Sequence, residues 1–247
     1  MTPGRRLAGF LHFVEIRTKV ASLFPYLLGT AYAWARHGVF RLDLALVLLG
    51  GVLAFDMTTT AINNHMEYTL RLRQAAGDGA PAAPMKEFGL GVAAQRGWIL
   101  AMLSIATALG LVLVVRTDPV LLLVGVACFG VGILYTAGPV SFSHMPLGEV
   151  LSGSVMGFLI PFLAIQVQLS GTPAALASLS YQADTGRLVL EGNVPGLLAL
   201  LLLGLPPACA IANIMLANNV CDLEEDRRDG RFTLPHYLGI PRSLALF

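Results

Sequence analysis

Asn218 to Arg231 reads NNVCDLEEDRRDGR and directly follows a long apolar run. It carries the acidic residues Asp222, Glu224, Glu225, Asp226 and Asp229, and the arginines Arg227, Arg228 and Arg231. Asp222 and Asp226 stand four apart, which on a helix stacks them on one face about one turn from each other. Two carboxylates so placed, at the polar end of a membrane helix, suit Mg²⁺, which takes one or two carboxylates plus substrate phosphates. Arginine is the side chain that best matches phosphate geometry. A solvated, salt-bridged helix end is the plainer reading of the same charges.

A second stretch, working outward, repeats the pattern. Ala61 to Arg71 reads AINNHMEYTLR and also follows an apolar run. Laid over the first, Asn63 falls on Asn218, Asn64 on Asn219 and Glu67 on Asp222, while Arg71 falls on Asp226 with the charge reversed. Two Asn-Asn-x-x-acid motifs, each closing an apolar helix, suggest a pseudo-repeat that builds one site from two facing halves.

Composition agrees with a membrane setting. Hydrophobic residues make up 55% of the 247, charged ones 13%, and mean hydropathy is +0.71, a multi-span membrane protein rather than a soluble domain. A span needs about 20 mostly apolar residues. Six stretches qualify: Ala21–Ala35, Leu42–Ile62, Trp98–Val115, Pro119–Tyr135, Leu147–Leu169 and Val194–Leu216. The expected fold is therefore all-α, a multi-span transmembrane helical bundle in one domain over residues 1–247. The first stretch is short unless extended toward Val14, which brings Arg17 and Lys19 to the interface by snorkelling. Met1–Thr18 carries charges and no compact apolar core, so no cleavable signal peptide is expected.

Lys and Arg set the orientation. Arg5, Arg6, Arg17, Lys19, Arg71, Arg73, Lys86, Arg96, Arg227, Arg228, Arg231 and Arg242 fall on the side of the motifs, against Arg36, Arg41, Arg116 and Arg187 on the other. The positive-inside rule then turns both motifs to the cytoplasm, from an inner or plasma membrane. A net charge of +1 gives no reason to expect nucleic-acid binding.

Other polar residues fill out the picture. Cys128 and Cys209 lie within spans and read as small core residues, Cys221 lacks a partner at metal-ligand spacing, and the five histidines form no zinc pattern. His65 beside the first motif reads equally as an interfacial packing residue. Asp56, six residues into the apolar side of Ile62, is expected to be protonated, paired or functional. Asn213, within the last span, is expected to face the bundle interior. Gln74–Pro84 reads as a flexible connection, a lid or a plain tether, followed by a short amphipathic segment from Lys86 to Gln95. Gly171–Asn193 reads as a short hairpin without chemistry.

The 22 residues NNVCDLEEDRRDGRFTLPHYLG, Asn218–Gly239, resemble the NN-x-x-D-x-x-x-D-x-x-x-G-x-x-TL-x-x-x-LG segment of the UbiA superfamily of intramembrane prenyltransferases. Tyr135–Pro139 is similar to the YTGGP segment of its 1,4-dihydroxy-2-naphthoate polyprenyltransferase branch, which serves menaquinone synthesis, and Arg17–Thr30 resembles its first-helix entry. The resemblance implies a helical bundle whose cavity opens to lipid, with Mg²⁺ holding the diphosphate of a polyprenyl donor. An allylic cation then alkylates an aromatic quinone precursor. It implies Asp222, Asp226 and Glu67 as catalytic, and Asn63, Asn64, Glu67, Asp222 and Asp226 as metal ligands. Diphosphate contacts would come from Asn63, Asn64, Lys19, Arg71, Lys86, Arg96, Arg227 and Tyr135.

Two departures from the family pattern stand out. Its first motif begins Asn-Asp and continues with two more aspartates, where this sequence has Asn64, Glu67 and Arg71. One carboxylate remains where three are common, so metal binding on that side is expected to be weaker, with Arg71 meeting phosphate directly as the alternative. The family also has nine helices, and this sequence stops at Phe247, where a seventh would begin. A fragment, a naturally short form, a homo-oligomer or a complementing chain would each account for that. A related enzyme with another acceptor (4-hydroxybenzoate, a tetrapyrrole or a lipid) and a non-enzymatic binding or transport protein are the competing functions.

Overall fold

The computed structural model describes residues 3–78, 90–136, 145–228 and 230–247. Helix α1 (Pro3–Phe13) and a 3₁₀ turn (Ile16–Lys19) lead into α2 (Val20–His37). Helices α3 (Leu42–Asp78), α4 (Val92–Arg116) and α5 (Val120–Thr136) follow. The next crossing is composite: α6 (Gly148–Ser154), one π-helical turn (Val155–Leu159) and α7 (Ile160–Leu169). Strands β1 (Ala177–Gln182) and β2 (Arg187–Gly192) form the expected hairpin, with Ala177 opposite Gly192 and Gln182 opposite Arg187. Helices α8 (Val194–Cys221), α9 (Leu223–Arg228) and α10 (Leu234–Leu246) complete the described chain.

All six expected apolar stretches lie on helices. Among the described residues four helical segments are long and apolar enough to cross a membrane: Leu42–Arg73, Val92–Arg116, Gly148–Leu169 and Val194–Cys221. Val120–Gly132 is a shorter apolar helix. As expected for a bundle solvated by lipid, large apolar side chains such as Leu100, Val115, Val126 and Leu202 point outward, and small residues sit where helices meet. A Cβ on Gly157 would lie 2.5 Å from Cα of Ala208, and one on Gly29 would lie 2.8 Å from the Pro161 carbonyl oxygen. These glycines let α8 and α2 close on the two sides of the composite crossing.

Helices α3 and α8 start at the hairpin end and run to the opposite end, where both Asn-Asn motifs lie. Gln166 ties the hairpin to α7: its Oε1 accepts from the Leu176 and Ala177 amides at 2.9 and 3.1 Å. Gln168 fixes the start of α3, accepting from the Arg41 amide at 2.6 Å.

One boundary differs from the sequence reading. The first motif does not close its helix, because α3 continues through Asn63 and Asn64 to Asp78, 37 residues in all. At 1.5 Å per residue that is about 55 Å, well beyond the ~30 Å of a hydrocarbon core. Polarity rises near Asn63, but no Gly or Pro interrupts the chain before Gly77, and a Glu67–Arg71 pair four residues apart supports the extension. Gln74–Asp78, expected to belong to the flexible connection, are the end of this helix. The rest of that connection, with Lys86, lies outside the described residues.

Candidate active site

The two motifs present the same faces. Ala61, Asn64 and Tyr68 are buried, and their counterparts Leu216, Asn219 and Leu223 are buried too. Asn63 is half-buried, and its counterpart Asn218 is exposed. The carboxylate of Asp222 is likewise exposed and meets no partner among the described residues. In both halves the apolar positions and the second asparagine turn into the bundle, while the first asparagine and the following acid are more open, half-buried in the first half and exposed in the second.

Arg71 joins the halves. Its guanidinium donates to Glu67 on its own helix and to Glu225 on α9. Two carboxylates from different motifs thus converge on one cation. Arg71 takes the place that the family pattern gives to an acid, and it supplies positive charge where the second motif has Asp226.

The buried asparagines are each held by a carboxylate from another element. Asn64 Nδ2 donates to the Phe13 carbonyl and to Glu15 Oε1, both at 3.0 Å. Asn219 Nδ2 donates to Glu149 Oε1 at 2.8 Å. Carbonyl and carboxylate oxygens only accept, so in both residues it is the nitrogen that faces the partner. Glu15 precedes α2, the helix before α3; Glu149 opens α6, which begins the crossing before α8. Neither glutamate stands out in the sequence. The available signal was a carboxylate at the start of the crossing that precedes each motif helix.

Asp222 and Asp226 do not share one solvent-facing surface, which corrects the single-face expectation. The helix breaks at Asp222, whose φ of −95° and ψ of 7° separate α8 from α9, although the Asp226 amide still donates to the Asp222 carbonyl at 2.8 Å. Asp222 remains open while Asp226 is buried. Asp226 Oδ2 accepts from Thr233 at 3.3 Å, and Oδ1 lies 3.5 Å from Arg231 Nε. The Arg231 amide closes the loop on the Asp226 carbonyl at 2.8 Å. Asp226 thus anchors the turn between α9 and α10.

The other expected residues fall in three places. Lys19 is buried, with Nζ donating to Asp56 Oδ1 at 2.8 Å and Thr60 Oγ1 at 2.6 Å, and Ser22 donates to Asp56 Oδ2 at 2.6 Å. That settles Asp56 as paired and ties the Lys19 ammonium to α3. Arg96 reaches the first motif through His65: its Nε donates to His65 Nε2 at 3.4 Å, and His65 Nδ1 faces Gln95 Oε1 at 2.7 Å. Gln95 Nε2 donates to the Leu90 carbonyl, so its oxygen must accept from the ring. The neutral tautomer that satisfies both contacts carries its proton on Nδ1. Arg227 is exposed and pairs with Glu224 at 3.2 Å. Lys86 and the side chain of Tyr135 lie outside the described residues.

The donor set suits a hard cation. Asn63, Glu67, Asp222 and Glu225 offer oxygen alone, the chemistry Mg²⁺ prefers. Glu67 and Glu225 converge on one guanidinium, so the place where the motifs meet accommodates positive charge. Among the described residues no three His, Cys, Asp or Glu side chains cluster tightly enough to hold a metal by themselves. A Mg²⁺ sharing its shell with phosphate oxygens and water requires no such cluster.

Comparison with known proteins bears on this arrangement. Residues 22–247 match the model of the UbiA prenyltransferase family. A 1,4-dihydroxy-2-naphthoate octaprenyltransferase of Bacillus subtilis (strain 168) is 28% identical over 229 residues, covering 93% of this chain and 65% of that protein. A protein of the same name from Mycobacterium leprae (strain TN) is 25% identical over 235 residues, covering 94% and 69%. The chain thus spans about two thirds of the length of these relatives. Among solved structures, a UbiA homolog from Archaeoglobus fulgidus bound to Cd²⁺ superposes with a TM-score of 0.63 at 14% identity, over 96% of this chain and 71% of that one. The structure bound to GPP and Mg²⁺ gives 0.61 at 16% identity, over 96% and 72%. At this identity the likeness establishes the fold.

Proposed function

The chain belongs to the UbiA prenyltransferase family, and from that premise we propose that it moves a polyprenyl group from its diphosphate to an aromatic ring. The acceptor in this reading is 1,4-dihydroxy-2-naphthoate, as in the names of the two relatives. The ion is Mg²⁺, which accompanies GPP in the Archaeoglobus fulgidus homolog. The observation that carries it is the bridge from Glu67 through Arg71 to Glu225, which brings the two motifs into contact at one end of an apolar bundle, where we place the diphosphate cleft. We place that cleft on the cytoplasmic side, following the Lys and Arg excess.

In this reading the bond between the allylic carbon and diphosphate oxygen breaks, and the electron pair leaves with the diphosphate. The ring carbon then donates an electron pair to the allylic cation, a carbon–carbon bond forms, and the ring regains aromaticity by releasing a cationic group, a proton in the simplest case. Mg²⁺, when bound, neutralises charge on the leaving diphosphate. Asn63, Asn64, Glu67, Asp222 and Asp226 would hold it, with Asn63, Glu67 and Asp222 the more open donors. Arg71, Arg96 and Arg227 would take the remaining phosphate charge, as cations placed at a leaving group do. Lys86, Tyr135 and Lys19 complete the proposed diphosphate set, with Lys19 held by Asp56 and Thr60.

The test is transfer by membranes that contain this chain, supplied with dihydroxynaphthoate, a polyprenyl diphosphate and Mg²⁺, with product detected by mass. Product that disappears with EDTA is the expected result. Absence of product from folded, inserted protein contradicts the reading, and product with 4-hydroxybenzoate instead redirects the acceptor alone.

A further inference from the structure

We propose that Glu15 and Glu149 are paired positioning residues: each grips the second asparagine of one motif and thereby sets the rotation of that motif helix toward the cleft. The inference rests on the diphosphate-binding reading above and assigns it two residues outside both motifs.

Three observations carry it. The grips are similar in position: Asn64 and Asn219 are aligned in the repeat, both are buried, and both donate through Nδ2 to a glutamate at or shortly before the start of the preceding helical segment. On a helix, the residue next to Asn63 points about 100° away from it. Holding Asn64 against Glu15 therefore fixes where Asn63 and Glu67 face, and holding Asn219 against Glu149 does the same for Asn218 and Asp222.

Both glutamates also sit in locally unfavourable settings. Glu15 has φ 49° and ψ 58°, the one positive-φ residue other than glycine among the described residues. A side chain in that left-handed region is strained, and such strain persists where the surrounding structure requires it. Glu149 is 4% exposed, and its Oε2 is buried without a hydrogen-bond partner among the described residues. A buried acceptor left unpaired is an uncommon arrangement that asks for an explanation. One glutamate strained in its backbone and one with a buried unpaired oxygen serve the same asparagine position, one per half. General fold stability does not require that coincidence; a common alignment of the two halves does.

The second half gives the cleaner test, because Asn219 donates there to a carboxylate alone. Asn219→Asp places two carboxylates together and removes the donor. Asn219→Asp combined with Glu149→Gln restores the bond in reverse, with the Gln amide donating to the Asp oxygen. Purified protein is titrated with geranyl diphosphate at fixed Mg²⁺, and binding is read as ligand-induced thermal stabilisation. Melting without ligand is recorded beside it. The expected result is about a tenfold weaker midpoint for Asn219→Asp and recovery to within about threefold in the double variant. Glu149→Ala should weaken the midpoint by a similar factor, and Glu149→Gln, which still accepts, much less.

If the single variant does not fold, the comparison of Glu149→Gln with Glu149→Ala carries the test. Equal midpoints in the parent and the folded variants overturn the clamp while leaving the diphosphate reading intact. Variants that lose unliganded melting temperature but keep the parent's midpoint also overturn it, since the role is then purely structural. A parent that geranyl diphosphate and Mg²⁺ fail to stabilise contradicts the diphosphate reading, and the clamp with it.

Discussion

The two Asn-Asn segments share a burial pattern and a kind of grip, yet they meet the polar phase differently. The first runs through an unbroken helix and offers one carboxylate, Glu67, with Arg71 one turn on. The second breaks at Asp222, restarts as α9 and carries several acids, of which Asp222 is open and Asp226 is tied into a turn. The halves are therefore complementary in charge rather than duplicated. The continuous helix brings a fixed cation, and the broken one brings the carboxylates that would ligate a mobile one. Arg71 on Glu225 is where that complementarity becomes a contact.

The sharpest way to break this comparison is to remove one acid from each half. Asp222→Asn should weaken Mg²⁺-dependent diphosphate binding by about 100-fold, the scale of losing one electrostatic contact to a developing charge. Glu67→Gln should cost about tenfold, because Arg71 already neutralises that carboxylate. Titration calorimetry with geranyl diphosphate at fixed Mg²⁺ compares the two, and equal losses would erase the asymmetry.

Stability separates the halves next. Each half carries an ion pair with a buried member, and that of the first, Lys19 with Asp56 at 2.8 Å, is tighter than Arg231 with Asp226 at 3.5 Å. Lys19→Met should cost roughly 3–5 kcal/mol by leaving the Asp56 charge uncompensated, and Lys19→Met with Asp56→Leu should recover most of it in thermal unfolding. Packing distinguishes them further. Gly157→Ala, in the second half, pushes Cβ to 2.5 Å from the backbone of Ala208 and should cost about 1–3 kcal/mol. Gly50→Ala, in the first, meets only the flexible end of Leu109 at 3.1 Å and should stay within about 1 kcal/mol of neutral, helix propensity offsetting the contact. The smallest effect falls on the bridge itself. Glu225→Gln, at a partly exposed pair, should change unfolding by no more than about 1 kcal/mol while loosening Arg71.

The sequence made the crossings legible because an apolar run of the right length has no competing interpretation at this composition. It also exposed the repeat, since Asn-Asn-x-x-acid recurs after two such runs. It misplaced the end of α3 because a rise in polarity marks where the bilayer ends, and a helix with no breaker need not end there. Asp56 read as ambiguous for a different reason. Its partner Lys19 lies 37 residues earlier on another helix, and nothing local announces the pair. The grips were invisible in the same way, with Glu15 and Glu149 lying 49 and 70 residues from their asparagines. Asp226 shows the opposite error. Its spacing from Asp222 suggested a shared face, and only the break after Cys221 and the return of Thr233 reveal that one acid is open and the other enclosed.

The most direct test of the account, that two facing halves make one diphosphate site, is a cross-link between them. Arg71→Cys and Glu225→Cys are combined in a background with Cys128, Cys209 and Cys221 replaced by serine, with a protease site inserted between the two positions. Membranes are oxidised with and without geranyl diphosphate and Mg²⁺, then cleaved. The account predicts that the two fragments stay joined until reduced, and that ligand with Mg²⁺ slows the joining by occupying the cleft. Fragments that separate without reduction, or a cross-link that ligand leaves unchanged, would contradict it.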